Sequence, residues 1–322
     1  MNWLCQKTLK SPGIRSKKMD YKTLILAKSA IERGENISLF LKNLKGVSHN
    51  SNQIIELSYD LQSGNYINFI KDNFTIVEEF VEEFSEHCDK HLSNYCSLLD
   101  VGTGECTTVT ALCNKLTFSV SNLFAFDISW SRVNLGQKYW SENIIDKETK
   151  FHPFVAEMGA IPLPSKSVDF STSSGAFESN GSNLSSLLVE LFRVTRDKCI
   201  LFEPSYENNS SEGKARMDKL GYIKDLPGHI KNAGGILESV SLMKTQVNPL
   251  NPTACYVISP PEVCTKPQEE KKNFSLPGTD FEIFEKENFY ISLDTGIAFP
   301  ILRKVPILKN SSGILATGFT QA

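Results

Sequence analysis

Residues 97–108 read SLLDVGTGECTT, and this stretch determines how the rest of the chain is interpreted. A short apolar run surrounds Asp100, glycines follow at Gly102 and Gly104, and apolar residues at helical spacing continue to Leu116. This order is typical of a strand, a glycine turn and a helix. Glycine tolerates positive φ and lets a ligand lie against bare backbone, and the helix N-terminus offers free N–H groups. The stretch predicts a site for a nucleotide-like ligand, with an ordinary tight turn as the alternative.

Two later stretches favour the ligand site over the plain turn. Residues 124–127 read FAFD, an apolar strand whose acid comes 23 residues after Gly104. A carboxylate at that place can accept both ribose hydroxyls of an adenosine, although an aspartate capping the helix after Ser129 would also fit. Residues 156–164 read AEMGAIPLP and lead into another strand at 167–170.

These motifs together resemble the class I S-adenosylmethionine-dependent methyltransferases. In that family two apolar residues precede Asp-x-Gly-x-Gly, an acid ends the second strand, and an acid-Ala-x-x-Leu-Pro-like stretch precedes the fourth. The resemblance spans about residues 53–260 and implies S-adenosyl-L-methionine as the cofactor. Cys106 stands where the family often has a third glycine. Because the first two glycines make the closest approach, we expect cofactor binding to survive this departure.

The resemblance also implies which residues contact the cofactor. Asp100 matches the acid that hydrogen-bonds turn amides near the methionine portion, and Glu157 matches the acid that accepts from the adenine amino group. The predicted cofactor-binding residues are Asp100, Gly102, Thr103, Gly104, Asp127, Ile128, Glu157, Met158 and Ser174.

The acceptor is expected on the same edge of the sheet, because ligands of open α/β sheets lie at the carboxyl ends of the strands. Glu178 follows the fourth strand and is the candidate general base for a hydroxyl acceptor. Glu203 ends the fifth strand before Pro204, which suits a supporting or binding role. Both acids are assigned here as catalytic, with capping of the following helices as the alternative.

Three tyrosines are predicted to contact the substrate. By resemblance, Tyr59 and Tyr66 lie on a helix over residues 54–69 that covers the cofactor as a lid, and Tyr206 follows the fifth strand. The alternative for Tyr59 and Tyr66 is that they only pack.

The alternation of strands and helices from Ser97 onward predicts the fold class. It is an α/β fold with a Rossmann-like, mostly parallel seven-stranded sheet that has helices on both faces. A terminal antiparallel hairpin is expected over 236–247 and 253–259, which a dehydrogenase sheet usually lacks. The predicted regions are an N-terminal helical lid (1–72), the methyltransferase domain (73–260), a linker (261–273) and a small β-rich tail (274–322).

The tail contains strand-like pieces at 289–293 and 296–302. It resembles the short zinc-ribbon-like domains attached to, or partnering, some methyltransferases. Where such domains carry a Cys-Pro pair, this chain has Leu276 and Pro277, so we expect the metal to be lost. The preferred interpretation is a β-appendage that covers an edge strand.

Composition excludes several classes of protein. The 322 residues carry a net charge of −3 without a large Lys/Arg cluster, so no nucleic-acid partner is expected. No apolar run approaches a membrane span and the start lacks a signal-peptide core, so a cytoplasmic protein without a membrane partner is expected. The eight cysteines form no CxxC pair, and no disulfide framework or metal site is predicted.

The sequence therefore predicts methyl transfer to a small molecule or glycan precursor at oxygen, and leaves a homodimer open. The glycan assignment, and with it polysaccharide biosynthesis, rests on similarity to enzymes of surface-polysaccharide pathways. Two alternatives remain. An NAD-dependent oxidoreductase would use the same glycine turn and Asp127, and a non-catalytic scaffold would bind the cofactor without turnover.

Overall fold

The structure is a computed structural model that describes residues 21–91, 97–262 and 274–320. Most of the predicted linker and the first 20 residues of the predicted lid region lie outside these ranges.

The described helices come first as a group and then alternate with strands. They are α1 (Tyr21–Glu32), α2 (Ile37–Lys45), α3 (Asn52–Asp60), α4 (Asn65–Asp72), α5 (Phe74–His91), α6 (Thr107–Lys115), α7 (Trp130–Asn143), α8 (Leu184–Val194), α9 (Ser211–Leu220) and α10 (Leu226–Asn232).

The described strands form two sheets. The large sheet contains β1 (Ser97–Val101), β2 (Asn122–Asp127), β3 (Lys150–Val155), β4 (Val168–Ser174), β5 (Thr195–Pro204), β6 (Ile236–Leu242) and β7 (Thr253–Ser259). The small sheet contains β8 (Phe284–Lys286), β9 (Phe289–Ile291), β10 (Ile297–Leu302), β11 (Val305–Pro306) and β12 (Ile314–Leu315).

The large sheet has the order β3-β2-β1-β4-β5-β7-β6. Strands β1 to β5 pair in parallel, and β7 runs antiparallel to both of its neighbours. Strand order reverses between β1 and β4, so the carboxyl ends of these two strands flank the crevice in which such sheets bind ligands. The predicted seven-stranded Rossmann-like fold is confirmed.

Both faces of this sheet are covered, which explains the continuous apolar runs in its strands. All five residues of β1 are buried. Leu187, Leu188 and Leu191 of α8 pack on one face, whereas Phe80 and Phe84 of α5 pack on the other. Fully burying one such side chain contributes about 1.5–3 kcal/mol, so these two layers hold the central strands in place.

The predicted single helix over 54–69 is wrong. Helix α3 ends at Asp60 and α4 begins at Asn65, after Gly64 with a φ of 97°. An L side chain at Gly64 would be strained at this φ, and the left-handed residue breaks the helix. Tyr59 therefore lies on α3 and Tyr66 on α4, with Gly64 at the break between the two helices.

The tail is a β-rich unit that adds to the edge of the large sheet. β9 and β10 confirm the two predicted strand pieces. The Leu308 N–H donates to Val155 O at 2.8 Å, beside a parallel bridge between Val155 and Ile307. Since β3 is the edge strand, the tail covers it. Phe274 and Phe299 also join the core cluster of the large sheet.

No helix within the described ranges is both long and apolar enough to cross a membrane. The same ranges contain no group of three or more His, Cys, Asp or Glu residues arranged to hold a metal ion.

Candidate functional site

The glycine turn after β1 has the conformation that the sequence predicted. Gly102 and Gly104 have φ values of 66° and 56°, which non-glycine residues rarely adopt. A Cβ added at Gly102 would lie 2.4 Å from Ala176 Cβ. The Thr103 N–H donates to Phe126 O at 2.8 Å and ties the turn to β2. Both the backbone conformation and the packing therefore require glycine here.

A cavity of about 940 Å³, counting its open mouth, lies at the carboxyl ends of β1, β2 and β4. Its walls come from the glycine turn, the starts of α3, α4 and α7, and the loops after β3 and β4. The predicted site residues that line it are Tyr59, Tyr66, Asp100, Gly102, Thr103, Gly104, Asp127, Ile128, Met158 and Ser174. The structure thus brings together most of the residues that the motifs singled out.

Asp127 lies at the floor of this cavity and holds two backbone segments. Its Oδ2 accepts the Gly104 N–H at 3.1 Å, and its Oδ1 accepts the Ser129 N–H at 2.9 Å. The N-cap of α7 is Ser129, whose Oγ accepts the Arg132 N–H. Asp127 is therefore not the helix cap that was the alternative, and each of its oxygens retains a lone pair.

Asp100 also lines the cavity and is buried. Burial raises the pKa of its carboxyl to about 7, and the hydrogen bond with Thr103 opposes this shift. A carboxyl group with this pKa is only partly ionised near neutral pH.

Arg132 is the main site residue that the sequence did not reveal. Its side chain lines the cavity, although the residue is only 6% exposed. The guanidinium carbon lies 5.1 Å from the centre of the Tyr59 ring and 4.6 Å from that of Tyr66. Nε lies 3.7 Å from Glu105 Oε1, and Nη1 lies 3.9 Å from Asp127 Oδ2. Burial opposes the charge, but Asp127, Tyr66 and Glu105 outweigh it and raise the pKa of Arg132.

The lid helices are fastened to the cofactor side by two carboxylates. Glu105, 1% exposed, accepts the Gly64 N–H at 2.8 Å through Oε1 and the Ile67 N–H at 2.9 Å through Oε2. Asp60 Oδ1 accepts the Ser129 hydroxyl at 2.7 Å and the Ser131 N–H at 3.1 Å. Glu105, which follows the glycine turn, thus accepts N–H groups at the start of α4. Asp60, at the end of α3, accepts from the start of α7.

Glu178 lies beside the cavity rather than in its wall. Its Oε2 accepts from Asn251 Nδ2 at 3.0 Å, and the hydroxyls of Tyr222 and Tyr59 also hydrogen-bond to it. A Cβ added at the cavity-lining Gly175 would lie 3.9 Å from this Oε2. Burial raises the pKa of Glu178, and these hydrogen bonds oppose the shift.

Two buried polar atoms near Glu178 have no hydrogen-bond partner among the described residues. They are Asn251 Oδ1 and Arg216 Nη1. Arg216 Cζ lies 5.6 Å from the centre of the Tyr222 ring. We refer to Glu178, Arg216, Tyr222 and Asn251 as the acceptor-side cluster.

Glu203 does not reach the cavity, which corrects its assignment as a catalytic contact. The residue is 0% exposed, and its Oε1 accepts the Ser173 hydroxyl at 2.7 Å and the Ala176 N–H at 3.0 Å. Its second oxygen accepts the Phe177 N–H at 3.2 Å. Burial raises the pKa of Glu203 to about 8, against these hydrogen bonds. Glu203 holds the loop after β4, which agrees with the supporting role considered for it.

Tyr206 and Glu157 also lie outside the cavity wall. The Tyr206 hydroxyl donates to Asp218 Oδ2 at 3.3 Å, and Lys224 Nζ lies 4.8 Å from the centre of its ring. Tyr206 therefore packs on the α9 side, apart from the residues that line the cavity, and its assignment to the substrate site stays a prediction. Glu157 sits at the rim, where its carbonyl accepts the Ala160 N–H at 3.0 Å, while Met158 lines the cavity.

Comparison with known proteins agrees with the fold and with the motifs. Residues 99–202 match the methyltransferase domain family. No curated protein matches the chain. Magnesium protoporphyrin IX methyltransferase from Synechocystis PCC 6803, solved with bound S-adenosylhomocysteine, superposes with a TM-score of 0.51 at 11% identity, covering 65% of this chain and 99% of that one.

Two further solved structures are similar at lower scores. A SAM-dependent methyltransferase from Methanosarcina mazei has a TM-score of 0.47 at 13% identity, covering 54% of this chain and 96% of that one. A chain of the Haloferax volcanii complex between the Trm112 methyltransferase activator and a methyltransferase has a TM-score of 0.47 at 14% identity, with 62% and 94% covered. The family match over residues 99–202, on a sheet of this order, shows that this part of the chain is a methyltransferase domain.

Proposed function

We propose that the chain transfers the methyl group of S-adenosylmethionine to a hydroxyl oxygen of a small polar acceptor. The observation that carries this proposal is the position of the acceptor-side cluster directly beside the cavity of the glycine turn. The two share Tyr59, which lines the cavity, interacts with Glu178 and has its hydroxyl 3.3 Å from Ser179 Oγ.

The charges that line the cavity suit this cofactor better than NAD. Asp100, Glu105 and Asp127 face a single cation, Arg132. A site with an excess of acids attracts a ligand with net positive charge, such as S-adenosylmethionine, and repels the pyrophosphate of a dinucleotide. This balance disfavours the oxidoreductase alternative.

When bound, S-adenosylmethionine supplies a methyl group on a cationic sulfur. Asp100 and the glycine turn would hold its methionine portion, and Asp127 its ribose. Met158 would contact the adenine. The lid helices α3 and α4, which carry Tyr59 and Tyr66, would exclude water from the site.

Glu178 is the group we propose to take the acceptor proton. A hydroxyl must lose its proton as the methyl group arrives, and burial raises the pKa of the Glu178 carboxyl, which makes its carboxylate a stronger base. Tyr222 and Asn251 hold this carboxylate in place through hydrogen bonds.

The unpaired atoms of the cluster support a polar acceptor. A buried donor or acceptor without a partner costs about 1–3 kcal/mol. Arg216 Nη1 can donate and Asn251 Oδ1 can accept, so an acceptor with several hydroxyl groups would satisfy both. Sugars and glycan precursors have this chemistry, whereas an apolar acceptor would leave both atoms unpaired.

Equilibrium dialysis against S-adenosylmethionine and NAD, followed by an assay for S-adenosylhomocysteine formation with a panel of sugars and nucleotide sugars, tests the proposal. We expect binding of S-adenosylmethionine but not NAD, and turnover with a hydroxylated acceptor. Preferential NAD binding would favour the oxidoreductase. Cofactor binding without turnover across the panel would favour a scaffold.

A further inference from the structure

Arg132 occupies a position that is unfavourable for a cation. Helix α7 begins at Trp130 after the N-cap Ser129, so Arg132 lies in its first turn. The positive end of the helix dipole disfavours a cation there. Burial adds a further penalty, since only 6% of the residue is exposed.

The two acids next to Arg132 do not fully satisfy it. Both Glu105 oxygens accept backbone N–H groups of the lid, and both Asp127 oxygens accept backbone N–H groups of their own neighbourhood. The separations of 3.7 and 3.9 Å are longer than hydrogen bonds. Arg132 Nε is buried without a hydrogen-bond partner among the described residues.

The guanidinium is nevertheless held in one place above the glycine turn. The rings of Tyr59 and Tyr66 flank it. A Cβ added at Gly104 would lie 2.7 Å from Arg132 Nη2, so glycine at this position leaves room for the guanidinium. Arg132 thus hydrogen-bonds to Tyr66 and places its remaining N–H donors at the cavity, beside the lone pairs of Asp127.

We propose that Arg132 donates hydrogen bonds to the ribose hydroxyls of the cofactor while Asp127 accepts from them. This inference rests on the proposed use of S-adenosylmethionine. A hydroxyl group both donates and accepts, so a guanidinium beside a carboxylate matches a diol on both counts. Arg132 is then a positioning residue for the adenosine half.

The formal charges around Arg132 favour the neutral ribose diol over the carboxylate of the methionine portion as its hydrogen-bond partner. Arg132, Asp127 and Glu105 together carry a formal charge of −1. A ligand carboxylate beside these acids would be repelled by both of them. A neutral diol meets no such repulsion.

Calorimetry with matched ligands tests this assignment. S-Adenosylhomocysteine and 5′-methylthioadenosine share the ribose but differ in the amino-acid portion. Adenosine and 2′,3′-dideoxyadenosine differ only in the two ribose hydroxyls. We expect Arg132→Met to weaken the first two ligands equally, by about 10-fold or more. The preference for adenosine over dideoxyadenosine should fall by a similar factor.

Lys138→Met, an exposed change on the same helix, is the control and should leave all four affinities unchanged. Arg132→Lys keeps the charge and serves as a second variant, in which the adenosine preference should be partly retained. The ratio of two affinities within one variant does not depend on the fraction of folded protein.

Loss confined to S-adenosylhomocysteine would assign Arg132 to the carboxylate, and an unchanged preference for adenosine over dideoxyadenosine would make it purely structural; either result overturns the inference. Failure of the unaltered protein to bind S-adenosylhomocysteine would instead overturn the proposed function.

Discussion

The Glu105 carboxylate accepts the Gly64 N–H at 2.8 Å and so joins the glycine turn to the start of α4. The same carboxylate accepts the Ile67 N–H at 2.9 Å. A helix N-terminus leaves its first N–H groups without partners, and here a residue of the cofactor turn supplies the acceptor. The position of Tyr66 over the cavity therefore depends on a side chain that directly follows Gly104.

Glu105→Gln should loosen this lid. The amide can accept only one of the two N–H groups, so we expect a loss of about 1–3 kcal/mol in the free energy of unfolding. Amide exchange at Gly64 and Ile67 should become faster, and S-adenosylhomocysteine affinity should fall. Glu142→Gln, on the exposed side of α7, is the control. Unchanged exchange at Gly64 would show that Glu105 does not hold the lid.

Glu178→Gln tests the proposed base without changing the shape of the side chain. Because the carboxylate must be ionised to accept a proton, turnover should rise with pH through a pKa above the ordinary glutamate value. The variant should lose this rise and turn over at least about 100-fold more slowly, with nearly unchanged cofactor affinity. If the variant turns over at the parental rate across the pH range, Glu178 is not the base and positioning alone must account for catalysis.

The large sheet was predictable because its central strands are buried on both faces. Strands such as β1 and β2 are short continuous apolar runs, and the glycine turn and Asp127 mark their carboxyl ends. Because the carboxyl ends of these parallel strands lie at one edge of the sheet, most of the predicted cofactor-binding residues come together there. The pattern of the sequence therefore predicted the neighbourhood of the site better than its individual contacts.

The contacts that were missed or wrong depend on side-chain direction, which periodicity does not show. Glu203 ends a strand at the correct edge but points to the backbone of the loop after β4. Tyr206 follows the same strand and turns towards α9. Arg132 did leave a signal, because an arginine in the first turn of a helix opposes the helix dipole, and such local conflicts mark functional positions.

Packing against α7 explains why Cys106 stands where the family often has a third glycine. Cys106 adopts a φ of 56°, and a Cβ added at Gly136 would lie 2.6 Å from its Sγ. Gly136→Ala should therefore reduce the free energy of unfolding by about 1–3 kcal/mol, although alanine favours helices. Adding Cys106→Gly should recover only part of the loss, because the backbone of Glu105 and Cys106 is also close. Denaturant unfolding of the two single variants and the double variant measures the coupling.

If Gly136→Ala and Cys106→Gly show no coupling in these unfolding measurements, packing against Gly136 does not explain the cysteine at position 106. Cys106→Gly alone should retain S-adenosylhomocysteine binding, since the first two glycines form the turn at the cavity.

The tail should contribute to the stability of the lid through an ion pair between a buried lysine and a partly exposed glutamate. Lys309 Nζ lies 2.7 Å from Glu56 Oε1 on α3, and Lys309 is only 8% exposed. Lys309→Met leaves Glu56 without this partner, so we expect a loss of about 1–3 kcal/mol. Lys286→Met, at an exposed position of the small sheet, is the control. Equal melting temperatures for the two variants would exclude a role of this pair in joining tail and lid.

The stability of the fold should fall as pH rises, and Glu203 is a main cause. Its pKa is about 8 in the folded chain against an ordinary value of 4.5. Between these values the folded state keeps a proton that the unfolded state releases, so unfolding becomes more favourable as pH increases. The slope is at most about 1.4 kcal/mol per pH unit for one group. Asp100, with a pKa of about 7, acts in the same direction.

Glu203→Gln mimics the protonated acid and removes its titration. Urea unfolding between pH 5 and pH 8 should show a smaller decline in the variant than in the parent chain, with the remaining slope due to Asp100 and Glu178, whose pKa values are also raised. Glu86→Gln, exposed on α5, should leave the parental slope unchanged. If Glu203→Gln also retains the full slope, the carboxyl is ionised in the folded protein throughout this range. Its three hydrogen-bond donors would then outweigh the effect of burial.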